Sequence, residues 1–197
     1  TRLNKKISAV FIDSPPERQI LLAKVLLGKQ QTLAFLQSEQ PSFARKQILA
    51  ITKKAGLRTH FEKISNAVNI ARKLAHALEK SDVLLALPDP VIFNRNTARN
   101  ILLTTYRRRT PVIGFSANYV KAGALAAAYS TTDQIAQQTG EMISKILHTN
   151  SRFPYGGHFP KNFEIEVNTS VARSLSINLK PTSQIKQELK TLLEKNK

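Results

Sequence analysis

Leu84-Leu85-Ala86-Leu87-Pro88-Asp89-Pro90-Val91-Ile92-Phe93-Asn94 is an apolar run that stops at an aspartate held between two prolines. Such a run reads as a buried strand, and Asn94 behind it stands where a residue caps a helix. About twenty residues later the pattern returns as Pro111-Val112-Ile113-Gly114-Phe115-Ser116-Ala117-Asn118-Tyr119. Two strands that both end in polar side chains suggest a small-molecule pocket. In open α/β sheets ligands bind beyond the carboxyl ends of the strands.

Upstream of that stretch, Ile7 to Ile12 reads as a strand and Ser14-Pro15-Pro16-Glu17 as a helix start, with Gly28 as its stop. Thr32 to Leu36 reads as a strand. Pro41 opens a helix with Ala44, Ile48, Ile51 and Ala55 on one side, ended by Gly56. His60 to Ile64 reads as a strand, and Asn66 caps a helix that turns Val68, Ala71, Ala75 and Leu78 inward. Downstream, 94–108 reads as a helix, Pro111 to Phe115 and Ala124 to Tyr129 as strands, and Thr131 with Gln134 as a capping box. The helix it starts carries Ile135, Met142, Ile143 and Ile146. Thr149 to Pro160 reads as a loop, Phe163 to Val167 as a half-exposed strand, and the chain closes on a helix with Ile185, Leu189, Leu192 and Leu193. Strands and helices thus alternate about every 25 residues, as right-handed βαβ crossovers do. The fold class is α/β, a parallel sheet in a three-layer αβα arrangement.

The composition permits one large domain or two small lobes: 197 residues, 42% hydrophobic and 22% charged. With no cysteine there is no disulfide, thiolate metal site or cysteine nucleophile. No apolar run approaches the roughly 18 residues of a membrane span, and Thr1 to Lys6 lacks the apolar stretch of a signal peptide. The net charge of +17 invites an anionic partner. The basic residues are dispersed, however, and no nucleic-acid motif accompanies them, so no specific nucleic-acid partner is expected.

The candidate ligand contacts are Asp89, Phe93, Asn94, Thr97, Ser116, Asn118 and Tyr119. Asp89 either holds a ligand ammonium or stabilises its own turn. Asn94 either caps a helix or, through that helix start, offers amide donors to a carboxylate. Phe93 and Tyr119 can stack on an apolar or aromatic ligand, while Phe93 also suits a core. Ser116 and Asn118 can orient a ligand or serve the loop, and Thr97 lies one helical turn past Phe93. Gly114-Phe115-Ser116-Ala117-Asn118 holds half of a nucleophile elbow and lacks its second glycine, which argues against a serine hydrolase using His148 or His158. His60, His76, His148 and His158 share no metal-ligand spacing, and no phosphate loop is present, so no metal or cofactor is expected.

The runs Leu85 to Asn94, Ile101 to Arg107, Pro111 to Tyr119, Val120 to Leu125, Tyr129 to Thr131 and Val167 to Leu175 resemble the substrate-binding proteins of ABC-type import systems, with the type I periplasmic-binding fold. The resemblance extends from about Ile7 to Leu179 and is most specific between Val83 and Thr131. It implies two α/β lobes joined by crossovers, closing on a solute, with a membrane permease reading the closed form. It divides the chain into 1–31, a remnant of the first lobe and a crossover helix; 32–115, the second lobe; 116–148, a crossover with a strand and helix returning to the first lobe; and 149–197, a return strand and C-terminal helix. Most of the family's first lobe is missing from this reading, and the exposed apolar surface would favour a homo-oligomer. Ser176 stands where the family usually has glycine.

The resemblance thus implies a non-enzymatic, periplasmic solute binder. Relatives include binders of aromatic amino acids, which makes a zwitterionic amino acid the implied ligand class. Two rivals stay open: a basic interaction protein for anionic polymers, and a serine hydrolase.

Overall fold

The computed structural model describes residues 7–28, 31–149 and 155–196. Thr1 to Lys6, read above for a leader, and residues 150–154 of the loop before Pro160 lie outside them. The chain forms two compact units, the larger from Pro16–Ala128 with Ile165–Lys197, the smaller from Thr1–Pro15 with Tyr129–Glu164.

The larger unit is built on a six-stranded sheet. Its strands are β2 (Thr32–Gln37), β3 (Arg58–Lys63), β4 (Val83–Leu85), β5 (Val112–Gly114), β6 (Ala126–Tyr129) and β8 (Glu164–Val167), in the order β3-β2-β4-β5-β6-β8. The pairs from β3 through β6 are all parallel. Alternate residues of these strands face opposite ways. Ala34, Leu36, Leu84, Ala86 and Val112 join a core with Ile70, Leu74, Ala77 and Leu78 of α3 (Ile70–Glu79) and Ile101 and Leu102 of α4 (Arg95–Arg107). On the sheet's other side, α1 (Pro16–Leu27) packs on β4 and β5 and beside α2 (Arg45–Ala55) and α8 (Thr182–Lys195). Its Ile20, Leu21, Leu22 and Ala23 are fully buried. The class is α/β, a mainly parallel sheet flanked by helices.

The smaller unit pairs β1 (Ser8–Val10) in parallel with β7 (Gly156–His158), beside α6 (Thr132–Thr149). Thr131 and Gln134 form the expected capping box, each side chain accepting the other's backbone N–H at 3.2 and 3.1 Å. Among the described residues no helix is long and apolar enough to cross a membrane.

Several local expectations change. Pro41 lies in a loop, α2 begins only at Arg45, and its buried stripe is Ile48, Thr52 and Ala55 rather than one that includes Ala44. Asn66 caps a single 3-10 turn, Ala67–Asn69, and α3 buries Ile70, Leu74, Ala77 and Leu78. Val68 stands in solvent and Ala71 is exposed, because the larger Ile70 and Leu74 take the sheet-facing positions. Ile143 is exposed on α6. The strand β7 lies inside the stretch read as loop, and two short helices, α5 (Ala117–Lys121) and α7 (Thr169–Ser174), had no periodic signal to announce them.

Candidate functional site at the carboxyl edge of the larger sheet

Parallel strands deliver their carboxyl ends to one edge, so Ser38 after β2, Asp89 after β4 and Ser116 after β5 all follow strand ends on that edge. Asp89 is buried and spends both carboxylate oxygens on backbone donors. Oδ2 accepts the Ser38 N–H at 3.0 Å and Oδ1 accepts the Val91 N–H at 3.1 Å. Its carbonyl accepts the N–H groups of Ile92 and Phe93 at 3.1 and 2.7 Å. The void beside it, lined by Phe35, Phe43, Leu87 and Pro88, holds about 10 Å³, room for roughly one water.

Asn94 is the N-cap of α4. Its Oδ1 accepts from the Asn96 and Thr97 N–H groups at 3.0 and 3.3 Å. Thr97 Oγ1 returns the favour by accepting the Asn94 N–H at 3.1 Å, which completes a capping box. Thr97 also borders a groove of about 130 Å³ between α3 and α4, with Ile70, Leu74, Asn100 and Thr104. Ser116 caps α5, its Oγ accepting the Tyr119 N–H at 3.2 Å. Asn118 is exposed on α5.

Phe93 and Tyr119 are brought together with Phe115. The Phe93 ring stands edge-on to Tyr119 at 6.1 Å and to Phe115 at 6.4 Å, and Phe115 lies 5.1 Å from Tyr119. Phe93 and Tyr119 are buried in the core, whereas Phe115 is half-buried. Burial of the Tyr119 phenol pushes its pKa well above the ordinary tyrosine range. Its hydroxyl and the Ser38 hydroxyl are both buried without a hydrogen-bond partner among the described residues. Ser38 was not among the sequence candidates. It follows an apolar strand as Asp89 does, so the same strand-end reasoning reaches it.

Two of the histidines, which share no metal-ligand spacing in the chain, meet at one carboxylate. His60 and Glu62 share one face of β3, and α3 lays Lys73 and His76 against them. His60 Nε2 lies 3.0 Å from Glu62 Oε1, His76 Nδ1 bonds the same oxygen, and Lys73 Nζ reaches Oε2 at 2.7 Å. Burial alone would raise the Glu62 pKa. Hydrogen bonds from Lys73, His76 and His60 outweigh it and hold the group at about 2. A cluster drawn from one strand and one helix leaves no short repeat in the chain, which is why the spacing of the histidines concealed it.

Solved structures share this fold. A conserved domain protein from Vibrio cholerae O1 biovar El Tor matches with a TM-score of 0.68 at 21% identity, over 87% of this chain and 58% of its own. An ABC domain in complex with L-Trp from Streptococcus pneumoniae matches with a TM-score of 0.68 at 20% identity, over 89% and 60%. The ligand-free, open structure of a substrate-binding protein with adhesive properties from Clostridium difficile matches with a TM-score of 0.67 at 19% identity, over 91% and 70%. The chain therefore spans about three-fifths of the length of the first two. No curated protein matches it. A family model described as ABC transporter substrate binding protein matches residues 5–190, and the chain belongs to that family.

Proposed function

We propose that this chain is the solute-binding component of an ABC-type import system, or a part of one, and that it works by binding rather than by catalysis. The observation that carries the reading is the pair of unmet buried hydroxyls, Ser38 and Tyr119, on segments that follow β2 and β5. A buried polar group left without a partner costs about 1–3 kcal/mol, so a polar ligand that reaches either hydroxyl as the strand-end segments part gains affinity. Family membership supports the same role.

The ligand class we propose is a zwitterionic amino acid with an aromatic side chain. The half-buried Phe115 beside Tyr119 offers a ring to stack on, and a structural neighbour holds L-Trp. Asn118 and Ser116 supply exposed and half-buried polar groups next to it. Asp89 contributes by holding the strand-end loops in place. The partner is a membrane permease, the location extracytoplasmic, and self-association of copies belongs to the same proposal. Ser116 Oγ serves as the α5 cap, which gives the hydrolase alternative no support.

Thermal unfolding with L-tryptophan, L-tyrosine, L-phenylalanine and non-aromatic amino acids tests this. A ligand at a hundred times its Kd stabilises by about 2.7 kcal/mol. At roughly 2–4 °C per kcal/mol that is a readily measured shift. An aromatic amino acid should raise Tm in the parent protein and raise it less in Tyr119→Phe. Silence across the panel overturns the ligand class, and ester turnover that vanishes in Ser116→Ala overturns the binding role itself.

A further inference from the structure

Glu62 is a buried carboxylate on an edge strand, and two imidazoles converge on one of its oxygens. The donor atoms of His60, Glu62 and His76 all lie within 4.8 Å of one another. The two rings meet edge-on at 5.6 Å. Tetrahedral zinc with bonds of about 2.0–2.2 Å to nitrogen and oxygen needs its ligand atoms about 3.3 Å apart. The 3.0 Å between His60 Nε2 and Glu62 Oε1 is close to that edge, and small rotations of the half-buried His60 ring and the exposed His76 ring supply the rest. We propose that His60, Glu62 and His76 form a binding site for one divalent transition-metal ion of the zinc type, with the fourth position open to solvent.

Three features favour this assignment. Two imidazoles and a carboxylate make a donor set suited to zinc, nickel or copper rather than to magnesium or calcium, which prefer oxygen. Lys73 engages the other carboxylate oxygen, Oε2, and so orients Oε1 toward the two rings, the work a supporting residue does around a metal. Finally, His60 and His76 keep 22% and 46% of their side-chain surface, enough for entry and for a water in the fourth position. A bound ion would tie the edge strand β3 to α3.

Tag-free protein is stripped with a chelator and titrated calorimetrically with Zn²⁺, and Co²⁺ is then added to read ligand-field absorption. We expect one equivalent of Zn²⁺ to bind and to raise Tm, and Co²⁺ to show the intense visible bands of a four-coordinate site. His60→Ala and His76→Ala, each checked for native circular dichroism, should abolish that equivalent. His148→Ala on α6 should leave it unchanged. The absence of stoichiometric uptake by the parent protein overturns the site. So does uptake that survives both His60→Ala and His76→Ala.

Discussion

The carboxylate of Asp89 accepts the backbone N–H of Ser38 at 3.0 Å, joining loops that lie 51 residues apart in the chain. The bond spans neighbouring strands, β2 and β4, just beyond their carboxyl ends. Together with Val91 N–H at 3.1 Å it satisfies both carboxylate oxygens inside the protein. Asp89→Ala leaves the donors with no acceptor where water is scarce, and should lower stability by about 2–3 kcal/mol. Asp89→Asn should fare little better, since its amide nitrogen would face one of the same donors. Urea unfolding checks both, and a loss below about 0.5 kcal/mol would show that solvent replaces the carboxylate there.

Gly114 lets β5 pass close to α5. A Cβ at that position would lie 3.0 Å from Tyr119 Cδ1 and 3.1 Å from Tyr119 Cβ, with Ala124 Cβ at 3.4 Å. Gly114→Ala should therefore cost about 1–3 kcal/mol as the ring is displaced. Gly140, within α6, has open space around it, and Gly140→Ala should add about 0.5–1 kcal/mol through helix propensity. Opposite signs for the two substitutions in the same urea series are the expected result.

Among the described residues four helices end on a positive-φ residue with the same pair of closing hydrogen bonds, and glycine fills that position in two of them, Gly56 and Gly123. After α2, Gly56 N–H bonds the Lys53 carbonyl and Leu57 N–H bonds that of Thr52. Arg109 repeats the pattern with φ 54°, followed by the Thr110 N–H bond to the Thr105 carbonyl. Ser176 repeats it with φ 58°, followed by the Ile177 N–H bond to the Ala172 carbonyl. A side chain in this region costs about 1–2 kcal/mol, against roughly 0.5–1 kcal/mol of extra chain entropy for glycine. Arg109→Gly and Ser176→Gly should each stabilise, by about 0.5–1 kcal/mol on that balance. A shift of the thermal midpoint upward in each variant is the measurement.

Tyr119 makes stability depend on alkaline pH. Its folded pKa is raised above the ordinary value of 10.0 by burial. The folded state thus holds the neutral phenol. The associated stability is complete below about pH 10, where the unfolded chain also keeps the proton, and falls as pH rises beyond it. Tyr119→Phe removes this dependence and leaves no unmet hydroxyl, so it should be neutral or stabilising at pH 8 and gain on the parent protein above pH 10. Urea midpoints from pH 8 to 11 read the difference, and parallel curves for the two proteins would contradict it.

The periodic parts of the fold were legible from residue order. Val83 to Leu87 is long enough in apolar side chains to be buried on both faces, and α4 begins at its Asn94 cap as read. Ser176 could be singled out as a departure without its reason. The backbone shows that the position carries φ 58°. Short helices escape such reading because α5, with five residues, has too few turns to repeat an apolar stripe. The α3 stripe was misplaced because Val68 and Ile70 are equally apolar by residue type, and only packing against the sheet chooses between them.

Residue order alone determined the alternation of strands and helices, the strand-end aspartate and serine, and the capping residues, since each depends on neighbours within a turn or two. Strand order decided the rest. Setting β2 beside β4 gave the Asp89 carboxylate to Ser38, and folding α3 onto β3 placed His76 against Glu62. Both meetings join groups distant in the chain, and their geometry is set by which strands pair and which helix covers them, information that no local run of residues carries.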